Sequence, residues 1–272
     1  MKALFYTLAA VYIAQVEHSF IDVSAEAGLI FASFCGSNEK KIHLTETLGS
    51  GLALIDYDND GFVDLFTLTA LEAESGPAAL QPTNHLYRNL GNGKFADVTV
   101  AAGFAKSGWA QGVCGGDFDN DGFTDLYVTY YGRDVLYRNN GRGGFEDVTA
   151  AAGLAGSKVR WGSGCAFVDY NLDGKLDLFV ANYVQFDPKH TPTPDKSNAC
   201  KWKNQPVPCG PMGLKGGLNL LWKNETIAGR PKFTDVSLES GVGAPGERYS
   251  LSVTTLDFDQ DGWPDIYVAV DS

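Results

Sequence analysis

Short apolar runs separated by polar turns make up most of the chain. The runs are four to six residues long and rich in Val, Leu, Ile, Phe and Tyr, as at residues 51–55 and 65–68. No stretch keeps a period of 3.6 residues, which a helix with one buried face would require. Runs of this length and composition are typical of β-strands. The pattern therefore predicts an all-β protein built from short strands.

Four acidic segments of nine residues lie between these runs. They begin at residues 56, 117, 169 and 257 and read DYDNDGFVD, DFDNDGFTD, DYNLDGKLD and DFDQDGWPD. These segments, called the Asp loops below, hold 15 of the 33 acidic residues. The net charge of −12 therefore comes from the loops, because the rest of the chain is nearly neutral. This acidity argues against a nucleic-acid partner, which needs a basic surface to neutralise phosphates.

Two further patterns recur around the Asp loops. Phe-x-Asp-Val-Ser/Thr begins at residues 20, 95, 145 and 233, and a glycine follows six residues after each Asp. A Leu-aromatic-basic-Asn pattern begins at residues 86, 136 and 221. The order of the patterns is the same in every unit, starting from Phe-x-Asp-Val. Each unit thus supplies about four short strands, which predicts a β-propeller of four-stranded blades.

About four blades are expected in residues 18–272. The fourth unit reaches its acidic loop and one more strand before Ser272, and it has no Leu-aromatic-basic-Asn pattern. We therefore expect a piece of a longer propeller, with a closed ring of four blades as the alternative. The Phe-x-Asp-Val strand near the N-terminus could complete a last blade, but it could not replace the missing third strand.

Two insertions interrupt the repeat, at residues 30–50 and about 187–217. The second contains six of the eleven prolines. Extra residues in a repeat protein usually emerge as loops on one face, which is often the binding face. The open alternative is that the loops are inert.

The Asp loops have the composition of calcium sites. Oxygen ligands at positions 1, 3, 5 and 9 converge if the glycine at position 6 adopts a positive φ, and the carbonyl of position 7 adds a fifth ligand. Ca²⁺ takes about six to eight oxygens in flexible geometry, whereas Mg²⁺ requires a strict octahedron. Up to four Ca²⁺ ions are expected, with the third site the weakest because Asn171 replaces a carboxylate and Lys175 adds a positive charge. EF-hands are excluded, because a strand residue such as Thr67 occupies position 12 in place of glutamate. The predicted ligands are Asp56, Asp58, Asp60, Phe62 and Asp64; Asp117, Asp119, Asp121, Phe123 and Asp125; Asp169, Asn171, Asp173, Lys175 and Asp177; and Asp257, Asp259, Asp261, Trp263 and Asp265.

The N-terminus and the cysteines give information about the cellular compartment in which the protein works. Residues 1–17 have the short basic start and apolar stretch of a secretion signal, although a buried first strand is the alternative. Cys200 and Cys209 lie in the proline-rich insertion, where a disulfide would hold a loop that has no core of its own; two unrelated thiols are the alternative. Cys114 and Cys165 lie in apolar runs and are expected to be buried thiols. Extracellular calcium would fill weak sites, which also favours a secreted or periplasmic protein.

The loops and the flanking patterns resemble FG-GAP/VCBS-type repeats, which also build the head propeller of integrin α subunits. The closer resemblance is to proteins with an ASPIC/UnbV domain, related to the cartilage acidic protein family. It rests on the segment at residues 46–51 (ETLGSG) and on Cys209-Gly210-Pro211. The resemblance covers residues 18–272 and implies a calcium-binding propeller of seven blades. The sequence departs from that pattern in its number of units and in having no ASPIC/UnbV domain.

The expected function is non-catalytic binding or adhesion, with a protein or glycan ligand and a monomeric chain. The proline-rich insertion is the leading candidate contact. The alternative is a carbohydrate-active enzyme, a lyase or hydrolase, for which His43 and Glu46 are possible acid–base partners. The letters of a dinucleotide-binding motif occur at Gly241, Gly243 and Gly246, but a strand-like run follows in place of a helix, so a turn explains them better. No apolar run reaches the roughly 18 residues that a transmembrane helix needs.

Overall fold

The computed structural model describes residues 20–30, 43–69, 84–104, 106, 108–156, 158–191, 200–207, 210–211, 213–244 and 248–271. The predicted signal segment, Cys35 and Cys209 lie outside these residues. The described part is almost entirely β-structure, arranged as a curled sheet. The prediction of an all-β propeller is confirmed.

Three complete four-stranded antiparallel blades follow one another along the chain. Blade one contains β1 (Leu52–Ile55), β2 (Asp64–Thr67), β3 (His85–Asn89) and β4 (Phe95–Asp97); blade two contains β5 (Trp109–Gly116), β6 (Asp125–Gly132), β7 (Val135–Asn139) and β8 (Phe145–Asp147). Blade three contains β9 (Arg160–Val168), β10 (Asp177–Asn182), β13 (Leu220–Asn224) and β14 (Phe233–Asp235), and the hairpin of β11 (Lys201–Trp202) and β12 (Gln205–Pro206) lies in its insertion. A fourth unit contributes the pair β15 (Tyr249–Leu256) and β16 (Asp265–Asp271). The helical segments are α1 (Ser24–Ala27) and a 3₁₀ turn (Leu44–Thr47).

The apolar cores lie between consecutive blades. Phe66, Leu86 and Leu126 belong to one cluster that joins blades one and two, and a second cluster joins blades two and three. Because blades two and three have a neighbour on both faces, β6 and β10 are buried along most or all of their length. Continuous burial explains why these strands read as apolar runs without alternation.

The aromatic position that follows each Asp loop packs between blades in three units. Phe66, Tyr127 and Phe179 are at most 2% exposed. Tyr267, at the same position of the fourth unit, is 65% exposed because no described strand covers that face of β16.

The Phe-x-Asp-Val pattern forms the outer strand of a blade and the turn that leads to the next blade. At Asp97, Oδ1 accepts hydrogen bonds from the backbone N–H and the hydroxyl of Thr99, and Asp147 and Asp235 form the same turn. The turn then contacts the outer strand of the next blade, where the Phe145 N–H donates to the Ala102 carbonyl. The pattern therefore ends a blade, which corrects the predicted order of the unit.

The first copy of this pattern is not a strand. Residues 20–23 have no strand pairing, and Phe20 is fully exposed. A strand there needs a neighbouring third strand to pair with, and none is present among the described residues. Asp22 nevertheless accepts the same two hydrogen bonds from Ser24. The turn chemistry is therefore local, whereas the strand depends on a partner.

Candidate metal centres

Each Asp loop is the hairpin between the first two strands of its unit. The glycines at position 6 have φ between 83° and 90°, as the sequence predicts: Gly61, Gly122, Gly174 and Gly262. Position 4 also has a positive φ, between 56° and 62°, at Asn59, Asn120, Leu172 and Gln260. Sequence reasoning missed this second left-handed residue. The asparagines at two of these positions were its only sequence signal, since Asn tolerates this conformation better than most residues.

The aspartate at position 1 holds the backbone turn. Asp117 Oδ1 accepts the N–H of Asp121 at 3.0 Å, and its Oδ2 accepts the N–H of Gly122 at 2.8 Å. The other three loops repeat this pair of bonds. Charge-assisted bonds to backbone N–H groups are strong, so the loop keeps its shape through its own sequence.

Three of the four loops bring three carboxylates together. In each of these loops, the aspartates at positions 1, 3 and 9 supply one carboxylate oxygen apiece. These three oxygens lie within 4.8 Å of one another, an arrangement that could hold a metal ion. The groups are Asp56, Asp58 and Asp64; Asp117, Asp119 and Asp125; and Asp257, Asp259 and Asp265. The third loop forms no such group because Asn171 occupies position 3.

The aspartate at position 5 lies outside these groups. Its Oδ1 accepts the N–H of position 7, as Asp60 does from Phe62 at 2.9 Å and Asp121 from Phe123 at 3.0 Å. The sequence predicts that all four carboxylates converge, together with the carbonyl of position 7. The groups formed in the structure contain positions 1, 3 and 9, and metal binding by positions 5 and 7 stays a prediction.

The aspartate at position 9 is buried in three loops. Asp125 is 0% exposed; its Oδ2 accepts the N–H of Phe118 at 3.0 Å, and its Oδ1 accepts the N–H of Asn139 at 2.7 Å. Loss of hydration raises the pKa of Asp125 to about 8, and these two bonds offset only part of the rise. The same cause raises the pKa of Asp177 to about 6. A buried carboxylate is stabilised in its charged form by a nearby cation.

Arginines from the third strand contact two of the loops. Arg88 Nε lies 2.7 Å from Asp58 Oδ2, and Arg138 Nη2 lies 2.7 Å from Asp119 Oδ2. The other oxygen of each carboxylate, Oδ1, is buried without a hydrogen-bond donor. Hard oxygen donors that are buried and lack a donor fit a divalent cation. Lys223 takes the place of arginine in unit three, and none of the described ion pairs joins it to the third loop.

The remaining candidate residues are spread over the fold. Glu46 is buried, and its N–H donates to the His43 carbonyl at 3.0 Å, while His43 Nδ1 has no hydrogen-bond partner. Gly241 has a φ of 79° and lies in the turn after β14, with no helix in the described residues that follow. This supports a turn over a dinucleotide site.

The prediction of buried thiols is confirmed for Cys165 and only in part for Cys114. Cys165 is buried and Cys114 is half-buried, both as free thiols, and burial raises the pKa of the Cys165 thiol. Cys200 is disulfide-bonded. Its pairing with Cys209 stays a prediction because Cys209 lies outside the described residues.

Comparison with known proteins identifies the repeat. The family model of the FG-GAP-like repeat matches residues 56–128 and 117–180, so each match begins at an Asp loop and ends in the second strand of the next blade. No curated protein matches the sequence in a similarity search. Within the part of the chain that the structure describes, no helix combines the length and the apolar character needed to cross a membrane. The FG-GAP-like repeats and the curled all-β sheet together fit an FG-GAP β-propeller.

Proposed function

We propose that this protein is a non-catalytic propeller that works outside the cytoplasm, binds Ca²⁺ in its Asp loops and acts as a binding or adhesion module. FG-GAP-like repeats suggest an interaction module and typically occur in extracellular proteins, and they often bind calcium. The ASPIC/UnbV relationship, the secretion signal and the protein or glycan ligand are part of this proposal.

The three carboxylate groups carry the metal part of the proposal. They have the same positions in each loop, they consist of oxygen donors only, and their donor atoms lie within 4.8 Å of one another. Three like charges at this separation repel one another unless a cation lies between them. Backbone carbonyls and water can complete a flexible oxygen shell, which suits Ca²⁺ better than Mg²⁺.

A bound ion would stabilise the end of each blade. The carboxylate at position 9 is anchored to the third strand in blade two, through the N–H of Asn139, while position 1 holds the hairpin turn. An ion shared by positions 1, 3 and 9 would therefore join the first three strands of a blade. Its role would be structural, presenting the other loops of the propeller in fixed positions.

Isothermal titration of the metal-free protein with Ca²⁺ tests the number of sites. We expect three sites from loops one, two and four, and a weaker one from loop three. Asn171→Asp would supply the missing third carboxylate, and we expect it to strengthen the third site about tenfold. Asp119→Asn is the matched control and should weaken one strong site. Fewer than three sites in the wild-type protein would contradict the proposal.

The proposal that the protein is not an enzyme has a separate test. The carboxylates that lie together belong to the Asp loops, where they are committed to the turns and to the proposed ions. We expect no reducing-sugar or unsaturated product from a panel of polysaccharides incubated with folded, calcium-loaded protein. Product formation that is lost in a His43→Ala variant would instead favour the carbohydrate-active enzyme.

A further inference from the structure

A cavity of about 440 Å³ opens at the end of blade three that is opposite to its Asp loop. β9 begins there, β10 ends there and β13 begins there, whereas the hairpin at residues 169–177 closes the other end. A second cavity of about 210 Å³ shares Gly217 and Leu218 with the first. The two cavities adjoin at these residues and are together called the end groove below.

Both insertions help to build the floor of the end groove. Leu44 from the first insertion packs in one cluster with Trp161 and Val184, and Phe186 and Leu214 from the second insertion pack against that cluster. The returning end of the second insertion is bonded to the chain after β10, since the Gln185 N–H donates to the Lys215 carbonyl at 2.8 Å. The segments that form the groove are therefore held in place by apolar packing and backbone hydrogen bonds.

Two deeply buried side chains that line the groove each carry one polar atom without a hydrogen-bond partner. Trp161 is 1% exposed, and its Nε1–H has no acceptor. Asn182 is 2% exposed; its Nδ2 donates to the Leu218 carbonyl at 2.9 Å, which fixes the orientation of the amide and leaves Oδ1 without a donor. An unpaired buried polar group costs about 1–3 kcal/mol. A ligand that offers an acceptor to Trp161 and a donor to Asn182 would remove both costs.

The rim of the groove is basic on a protein whose net charge is −12. Lys158 is exposed and Arg160 is half-buried, and neither takes part in an ion pair among the described residues. Arg248 lines the adjoining cavity. Among the described residues that line the two cavities, the one carboxylate belongs to Asp187, whose Oδ2 lies 2.6 Å from His190 Nδ1. The rim therefore favours a ligand that carries negative charge.

The apolar part of the rim distinguishes a peptide from a sugar. Val159 is 66% exposed and Leu218 is 41% exposed. Exposed aliphatic side chains such as these pack favourably against aliphatic side chains of a ligand. A sugar-binding surface would need an exposed aromatic face, but the described aromatic residues that line the two cavities are Trp161 and Phe179, which are buried, and Phe186, which is half-buried. One peptide unit also offers a carbonyl acceptor and an N–H donor together.

We infer that the end groove binds an extended acidic peptide segment of a partner protein. One peptide unit would accept a hydrogen bond from Trp161 and donate one to Asn182, with aliphatic side chains on Val159 and Leu218 and acidic side chains near Lys158 and Arg160. This inference deepens the interaction role proposed above and rests on it, but it does not depend on the metal sites.

Fluorescence anisotropy with a labelled hexapeptide of alternating glutamate and leucine tests this assignment in the full chain with Ca²⁺ present. We expect saturable binding that weakens with added salt, and no binding of the same peptide with lysine in place of glutamate. Lys158→Glu should weaken binding about tenfold, because it reverses a charge on the rim. Trp161→Phe, which removes the Nε1–H donor and keeps an aromatic ring, should also weaken it severalfold.

Arg230→Glu is the matched control, because this exposed residue lies in the β13–β14 turn at the opposite end of blade three. It should bind the peptide as the wild type does. Equal binding by all three variants would overturn the assignment, as would preferential binding of oligogalacturonate in place of the acidic peptide. Absence of peptide binding in a protein that still binds three Ca²⁺ ions would refute this inference and leave the metal proposal standing.

Discussion

Glycines five residues before the first three Asp loops set the spacing between neighbouring blades. A Cβ on Gly51 would lie 3.0 Å from the Gln111 carbonyl oxygen, and one on Gly112 would lie 2.0 Å from the Ser163 carbonyl oxygen. Gly164 meets the backbone of the fourth unit in the same way. The innermost strands approach so closely that only hydrogen fits at this position.

Gly112→Ala should therefore be strongly destabilising. The neighbouring atom is backbone and cannot rotate away, so we expect a loss in the free energy of unfolding of about 3 kcal/mol or more. Gly156→Ala is the control, because a Cβ there meets no atom within 4 Å. Urea denaturation of both variants measures the difference. Equal stability of the two would contradict this account of blade spacing.

A second residue-scale feature is the carboxylate of Asp134 at the end of blade two. Its Oδ1 accepts the N–H of Tyr130 at 2.8 Å, and its Oδ2 accepts the Tyr127 hydroxyl at 3.0 Å. Loss of hydration nevertheless raises the pKa of Asp134 to about 6 from its ordinary value of 3.8. The folded state therefore binds this proton more tightly than the unfolded state does.

Asp134 should make stability depend on pH in a defined direction. The stabilisation from the bound proton is complete below about pH 3.8 and is lost as the pH rises through about 6, a change of up to about 3 kcal/mol. Asp134→Asn cannot titrate, so the variant should become more stable relative to wild type between pH 4 and 7. Urea denaturation of both proteins across this range tests it, and a constant difference in stability would contradict the assignment.

At the scale of the element, the asparagine that ends each third strand connects a blade to the one before it. Asn139 is 0% exposed, and its Nδ2 donates to the Tyr57 carbonyl in blade one at 2.7 Å. Asn224 donates to the Phe118 carbonyl in blade two at 2.7 Å. The Nδ2 of Asn89 donates within its own blade, to the Val63 carbonyl at 2.9 Å, and no described preceding blade offers it a second acceptor. The same residue type thus has an additional role where a preceding blade is described.

Replacing this asparagine should therefore cost more in blade two than in blade one. We expect Asn139→Ala to lower the free energy of unfolding by about 3 kcal/mol, because it leaves buried carbonyls of two blades unpaired. Asn89→Ala should cost about 1 kcal/mol, since its side chain is bonded within one blade. Thermal and urea denaturation would give both values. A loss in Asn89→Ala as large as that in Asn139→Ala would show that the bond between blades contributes little.

At the scale of the whole molecule, the first three Asp loops are linked around one edge of the propeller. Asn59 Nδ2 donates to the Gly122 carbonyl at 2.9 Å, and Asn120 Nδ2 donates to the Gly174 carbonyl at 3.0 Å. The apolar cores also lie between blades, so no blade is stabilised independently of its neighbours. A change in one loop should therefore alter the stability of the neighbouring blades as well.

Removal of calcium should accordingly lower the stability of the entire domain. An ion present at 100 times its dissociation constant adds about 2.7 kcal/mol per site, so a chelator should lower the melting temperature by at least about 5 °C. Differential scanning calorimetry with and without EDTA measures this change. Added Ca²⁺ should restore the melting temperature, and Mg²⁺ at the same concentration should restore less. An unchanged melting temperature would contradict calcium binding in the loops.

The sequence alone determined the repeat, the strands and the chemistry of each turn. Nine residues contain the position-6 glycine and the position-1 aspartate that shape an Asp loop, so the hairpin could be predicted from neighbours in the chain. The turn in which an aspartate accepts two hydrogen bonds from the Ser or Thr two residues later likewise forms at Asp22, even though no strand forms there.

Only the tertiary structure decided which groups from distant parts of the chain meet. It showed that position 5 supports the turn while positions 1, 3 and 9 converge, that Gly112 contacts Ser163, and that the two insertions pack on Trp161 to form the end groove. Turn chemistry acts over a few bonds and is repeated in every unit. Contacts between blades, and between an insertion and a blade, join residues that are about 50 to 140 positions apart in the sequence. The geometry of these contacts depends on the twist and pairing of the whole sheet.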